Sequence, residues 1–233
     1  MPRSRPPLTR DEILSTALAI VDAQGLEGLS MRKLAAALGV KVMSLYNHVR
    51  DRDDLLHGMV DRVLASITQP AENLAWPATL EYFAQSLYGA LIVHPALVTE
   101  IEQAEPLSGR VLMGMERVLL ALKAAGLSPR EQVSAFRGLV AVVLGFVLAH
   151  TRGLTVSRAD AQATWERWDS QQFTGSERPY LIELAPYFQD TRADDDFAFV
   201  LQAYLDALRA RVHLNDASAK QVDGAVEPAR PEV

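Results

Sequence analysis

The sequence predicts an all-α chain: an N-terminal three-helix head built around a helix-turn-helix, then a larger helical C-terminal body. Three observations predict it. Residues 30–49, SMRKLAAALGVKVMSLYNHV, read as two short helices joined by a tight turn at Gly39. Apolar residues recur at helical spacing in most segments from Thr9 to His213, and no stretch reads as a credible strand or an internal repeat.

The 233 residues suffice for one large or two modest domains. Cysteine is absent, which excludes a disulfide framework and a thiolate metal site and fits a cytoplasmic protein. The basic start MPRSRPPLTR is followed by no apolar stretch, so it is not read as a signal peptide. The longest apolar run, Leu139 to Ala149, falls far short of the roughly 20 residues a membrane helix needs, so no membrane partner is expected. Net charge is −6, but residues 1–50 carry +3 and the remainder −9. A basic front end on an acidic body is compatible with nucleic acid at that end.

Residues 1–8 read as a flexible basic leader. Thr9 caps the first helix, with Asp11 and Glu12 in its first turn, where the helix dipole favours acids. Ile13, Leu14, Ala17, Leu18, Ile20 and Val21 form its apolar stripe, and Gly25 ends it. Leu29 plugs the three-helix core. Ser30 caps the second helix, which turns Met31, Leu34, Ala35 and Leu38 inward. The third starts near Lys41 and buries Leu45 and Val49, four apart, leaving Lys41, Ser44, Asn47 and His48 on the other side. One helix that braces and a second that offers polar side chains is the arrangement that docks in a major groove.

Asp51 caps a fourth helix, with Leu55, Leu56, Met59, Val60, Val63, Leu64 and Ile67 at helical spacing, and Pro70 stops it. Residues 70–77 form a corner. A helix from Ala78 to about Val93 ends at His94-Pro95, and a short segment covers Ala96 to Gln103. A further helix runs over Leu107 to Ala125. Ser128-Pro129-Arg130-Glu131 opens the next, with Ser at N-cap, Pro at N1 and Glu at N3. That helix continues to about His150 and is apolar nearly all round. Residues 153–175 are mixed, and a short helix is expected over Pro179 to Tyr187. Asp194, Asp195 and Asp196 open the last strong helix and Arg209, Arg211 and His213 close it, in the order the dipole favours. Residues 215–233 read as a disordered tail.

The stretch LEGLSMRKLAAALGVKVMSLYNHVRDRDDLL, residues 26–56, resembles the head of the TetR family of bacterial transcriptional regulators. The Leu-Tyr-x-His-Val core at Leu45 to Val49 and the Gly39-Val40 pair carry the resemblance. DDDFAFVLQAYLDALRAR, residues 194–211, resembles the tetracycline-repressor-like C-terminal domain. The likeness covers roughly residues 9–213. It implies a DNA-binding head over 9–68 and an effector-binding and dimerisation body over 69–214. It further implies a homodimer on a palindromic double-stranded operator, acting as a repressor released by a small-molecule effector, with dimerisation through helices near 132–150 and 195–213.

The resemblance also assigns candidate DNA contacts. Arg32 matches a position that reaches a base edge, where arginine pairs bidentately with guanine. Val42, Met43 and Ser44 open the recognition helix. The first two are apolar where the tetracycline repressor has Gln and Pro, so the operator is expected to differ; Met43 reads equally as a base contact or a core residue. Tyr46 and His48 match phosphate or base contacts, and Tyr46 is also compatible with core packing. Lys41 and Arg52 flank the helix towards phosphate. Asn47 stands where the nearest relative has tryptophan.

The body offers no motif that reads chemically. Tyr82, Phe83, Tyr88, His94, Glu100, Glu102, Trp165 and Trp168 are candidates to line an effector cavity, against ordinary packing for each. The tetracycline repressor's drug–magnesium site needs a histidine in the middle body helices, and residues 95–149 contain none, which argues against magnesium–tetracycline. The Leu, Met, Val and Phe content is compatible with an apolar effector and equally with a solid core. The five histidines form no metal-spaced cluster, and neither a Gly-rich phosphate loop nor a nucleophile motif is present, so no enzyme, metal or cofactor is expected. The competing reading is a helical interaction protein whose head no longer binds DNA.

Overall fold

A computed structural model describes residues 7–103, 108–151, 180, 183–184, 187 and 193–224. The helices discussed below are α1 (Arg10–Gln24), α2 (Met31–Leu38), α3 (Val42–Tyr46), α4 (Arg52–Ala65), α5 (Trp76–Ile92), α6 (Gly109–Ala124), α7 (Pro129–Thr151) and α8 (Ala193–Gly224). Short 3-10 segments cover Leu26–Gly28 and Pro95–Gln103. Among the described residues there is no strand. The chain divides into two compact units, one holding the residues up to Gln69 together with Gln85–Gly114, the other Pro70–Ala84 together with the residues from Met115 on.

In the first unit, side-chain caps set the helix starts. Thr9 Oγ1 accepts the Glu12 amide at 3.1 Å, Ser30 Oγ accepts Lys33 at 3.2 Å and Asp51 Oδ1 accepts Asp54 at 2.8 Å. Each cap satisfies an amide that a helix start leaves without a partner. The α1 stripe is buried as its spacing predicts, and Leu29 is buried with it. Met31 is only half-buried, because it opens α2 at the edge of the core, whereas Leu34, Ala35 and Leu38 are buried. Gly39 has φ 63°, a left-handed conformation that costs an L side chain energy, and this lets Val40 N–H return to the Ala35 carbonyl at 3.0 Å.

Helix α3 is shorter than the sequence suggests. It ends at Tyr46, where the His48 and Val49 amides both donate to the Leu45 carbonyl, at 2.9 and 3.0 Å, and tighten the last turn. Leu45 and Val49 are 0% and 1% exposed and anchor this segment from beneath. Helix α4 buries Leu55, Leu56, Met59, Val60, Val63 and Leu64. The same unit includes the segment after α5, held by two contacts. His94 meets Asp22 of α1, and the Ser108 amide donates to Asp61 of α4 at 2.9 Å.

In the second unit, α7 and α8 pack along one side. Ala135, Leu139, Val143 and Val147 are buried on α7, and Phe197, Leu201 and Leu205 on α8. The Phe146 and Phe197 rings meet edge to face at 5.6 Å. Tyr204 hydroxyl crosses to donate to the Ala135 carbonyl at 2.6 Å, passing over Gly138, where a Cβ would come within 2.6 Å of that oxygen. Glu131 closes the predicted capping box by accepting from the Ser128 hydroxyl at 2.7 Å and its amide at 3.0 Å. It also accepts from Arg211 of α8 at 2.9 Å. The Ser128 hydroxyl first, then its amide and Arg211, hold the Glu131 carboxyl down at about 2.

Two expectations are corrected here. The backbone stays helical to Gly224, past the point where a tail was expected. Residues 216–221, DASAKQ, contain good helix formers and no Gly or Pro, so nothing stops the helix before Gly224. The apolar part of α7 also extends further than the run 139–149. By length and composition alone, Pro129–Ala149 is long and apolar enough to cross a membrane, with mean hydropathy 1.9. Val133, Ala135, Phe136 and Gly138 lengthen it around the single charge of Arg137. The burial of its Ala135, Leu139, Val143 and Val147 row in the unit shared with α8 makes it a packed helix of the body.

Candidate nucleic-acid interface

The face expected to read DNA lies open. On α3, Met43 is 73% exposed and Tyr46 is 44% exposed, while Leu45 between them is fully buried. Met43 is therefore no core residue, and Tyr46 keeps its hydroxyl and much of its ring in solvent. Lys41 and Asn47 are exposed, and Val42, Ser44 and His48 are half-buried. Arg32 is exposed on α2, on the opposite side from buried Leu34, Ala35 and Leu38. The backbone explains this division. With Gly39 left-handed, α2 stops abruptly and α3 starts in a new direction, pinned by Leu45 and Val49, so its remaining side chains face out.

Arg52 is exposed, and one of its Nη groups donates to the Leu26 carbonyl at 3.3 Å. That contact ties the start of α4 to the 3-10 turn after α1. Lys33 is held by Gln24 Oε1 in a similar way.

Sequence reading missed the residues that hold the α3–α4 turn. Arg10, at the first turn of α1, reaches Asp54 of α4, with Nη2–Oδ1 at 2.8 Å. It also donates to the His48 carbonyl at 2.7 Å. Asp54 additionally accepts the Arg50 amide at 2.8 Å. The Arg10 hydrogen bond, followed by the Arg50 amide and the charges of both arginines, holds the Asp54 carboxyl at about 2. Such pairs join residues 44 apart, and no local spacing marks them.

The candidate effector residues divide between the units. Phe83 is buried in the second unit, its ring 6.0 Å from that of Phe136, and Tyr82 lies beside it in sequence with a third of its surface exposed. In the first unit Tyr88 is buried, His94 is engaged by Asp22 and Glu100 accepts from the Thr99 hydroxyl at 3.4 Å. Nothing is described of the Glu102 side chain, and Trp165 and Trp168 lie outside the described residues. Among the described residues no group of three or more His, Cys, Asp or Glu is placed to hold a metal ion.

Comparison with known proteins decides the family. Residues 13–59 match the model for bacterial regulatory proteins of the tetR family, and residues 69–212 match the tetracyclin repressor-like C-terminal domain. The chain belongs to the TetR family. It is 34% identical over 219 residues to the HTH-type transcriptional repressor DrrR1 of Streptomyces coeruleorubidus, covering 89% of this chain and 80% of that one. Among solved structures it resembles apo ActR from Streptomyces coelicolor, at 30% identity and TM-score 0.73 over 90% of this chain and 99% of that one. The complex of ActR with actinorhodin matches at 29% identity and TM-score 0.71, over 88% and 97% of the two chains. This TetR-family chain is accordingly a sequence-specific DNA-binding transcriptional regulator with an all-α fold, and not an enzyme.

Proposed function

We propose that this regulator is a homodimeric repressor that reads a palindromic operator through α3 and releases it when a small molecule enters the body. The observation that carries the reading is the exposed face of α3 and the turn before it. Lys41, Val42, Met43, Ser44, Tyr46, Asn47 and His48 lie over a buried Leu45–Val49 anchor, with Arg32 exposed on the bracing helix. Arg32, Met43 and Asn47 contact bases, while Lys41, Tyr46, His48 and Arg52 contact phosphate. The apolar Val42-Met43 pair favours thymine methyls.

Dimerisation uses α7 and α8. Val133, Arg137, Ala141 and Gly145 are exposed at four-residue steps along α7, and Phe199, Ala203, Ala210 and Leu214 along α8. Phe199 is 75% exposed. An open apolar face of this kind on a soluble helix calls for a cover, and small residues at four-residue steps let a second pair of helices come close. The effector site draws on the body, for which Tyr82, Phe83, Tyr88, His94 and Glu100 remain the candidates. Since ActR has been solved with actinorhodin, that compound is the first effector to test. Magnesium–tetracycline is not the effector in this reading, because residues 95–149 hold no histidine.

The test is a DNA selection from a random library with the full chain, followed by mobility shift on the selected sequence with and without actinorhodin. A palindromic consensus bound by a dimer supports the operator reading. Release by actinorhodin supports the effector assignment, and undiminished binding at saturating compound rejects actinorhodin as effector. Recovery of no consensus overturns the operator reading.

A further inference from the structure

The guanidinium of Arg10 is committed to the protein on both arms. Nη1 donates to the His48 carbonyl at 2.7 Å and to Asp54 Oδ2 at 3.1 Å. Nη2 donates to Asp54 Oδ1 at 2.8 Å and to the Asp54 carbonyl at 3.3 Å. Asp54 carries the constraint further, since its carboxylate accepts the Arg50 amide at 2.8 Å. One side chain from α1 thus grips the segment leaving α3 at its main-chain carbonyl, and through Asp54 it fixes the next turn as well.

The path of that side chain is kept clear by Gly58. A Cβ at Gly58 would lie 3.0 Å from Arg10 Nη2 and 2.8 Å from Leu14 Cδ2, so any larger residue pushes against the guanidinium. Beside it, Asp11 of α1 pairs with Arg62 of α4. The apolar packing of α1 against α4, through Leu14, Ala17, Leu18, Met59 and Val63, stands without Arg10. What Arg10 adds is confined to the α3–α4 turn. The salt bridge to Asp54 is bidentate, the geometry in which arginine gives orientation as well as attraction.

We infer that Arg10 is a positioning residue for operator recognition, which sets the placement of α3 through the His48 carbonyl and Asp54 and makes no contact with DNA. The inference rests on α3 being the recognition helix. Specific binding needs base-reading side chains held in register, whereas non-specific binding needs only phosphate attraction. Loosening the end of α3 therefore lowers specific affinity alone. A phosphate-binding arginine behaves differently, since its loss weakens binding to all sequences and reduces the salt slope by about 0.9.

The experiment measures the affinity of the full chain and of Arg10→Ala for the DNA that the wild-type chain selects and for random-sequence DNA, across a salt series. The expected result is a loss of about tenfold or more on the selected DNA, a change under about twofold on random DNA, and an unchanged salt slope. Gly58→Ala keeps the arginine and its charge but crowds the guanidinium, and gives the same pattern; it decides the question if Arg10→Ala fails to fold. Arg10→Lys restores only part of the loss, because one ammonium cannot serve the carbonyl and both carboxylate oxygens together. Parallel losses on both DNAs with a shallower salt slope overturn the inference in favour of a phosphate contact. Unchanged specific affinity in Arg10→Ala and Gly58→Ala overturns it outright. A wild-type chain that selects no sequence overturns the recognition-helix reading instead, an outcome seen before any variant is tested.

Discussion

His94 Nδ1 lies 2.9 Å from the Asp22 carboxylate, joining the end of α5 to the last turn of α1 across 72 residues of sequence. Both side chains are partly shielded, with 25% and 31% of their surfaces exposed. The pair fastens the Pro95–Gln103 segment to the first helix of the DNA-binding head, within the same compact unit. A partly exposed pair of this kind is worth about 0.5–1 kcal/mol. His94→Ala and Asp22→Asn each lower the thermal midpoint by a few degrees, and the double variant falls no further than the single ones. A double-mutant cycle by calorimetry checks it, and full additivity refutes the coupling.

The exposed reading face predicts a clean separation of binding from folding. Arg32→Ala, Met43→Ala and Tyr46→Ala each cost about 1–3 kcal/mol of operator affinity and leave the unfolding midpoint unchanged. Leu45→Ala, at a fully buried site, costs about 2–5 kcal/mol of stability. Urea unfolding and fluorescence anisotropy on selected DNA measure the two quantities separately.

Phosphate contacts from Lys41, Tyr46, His48 and Arg52 predict a steep salt dependence. Lys41→Ala reduces the slope of log affinity against log salt by about 0.9, and Met43→Ala does not alter it. Equal slopes for Lys41→Ala and wild type remove Lys41 from the phosphate set.

Acid acts on the head through Asp54. Its folded carboxyl lies at about 2, below its ordinary value of 3.8. A depressed carboxyl contributes stability that is fully present above the unfolded value and is lost as pH falls through the folded one. The head therefore weakens between about pH 4 and pH 2, and Asp54→Asn flattens that part of the profile while lowering stability at neutral pH. Circular dichroism against pH on both proteins is the check.

The α8 face predicts that assembly is separable from folding. Phe199→Glu places a charge on the 75% exposed position and yields a helical monomer that binds the operator at least about tenfold more weakly. Sedimentation velocity that still shows a dimer rejects this face as the interface.

The local devices were legible in the sequence. Thr9, Ser30, Asp51 and the Ser128–Glu131 box act on the amides three residues away, so spacing alone marks them. Gly39 announced its turn for the same reason. Exposure of Met43 was not legible, because an apolar side chain at that spacing serves either a core or a base edge, and only the packing of Leu45 and Val49 decides which. Arg10–Asp54 and His94–Asp22 were hidden because each joins distant residues through tertiary packing. His94, read as a cavity candidate, meets α1 instead, and its effector role has to be compatible with that contact.

The central claim is that α3 of this TetR-family regulator reads a two-fold operator. Hydroxyl-radical footprinting of the full chain on its selected DNA tests it most directly. The account predicts two protected half-sites related by a dyad and spaced about one helical turn or a multiple of it apart. It also predicts that this protection is lost in Tyr46→Ala at protein concentrations where the wild type saturates. Uniform protection without half-sites, or a footprint that Tyr46→Ala and Arg32→Ala leave intact, would contradict it.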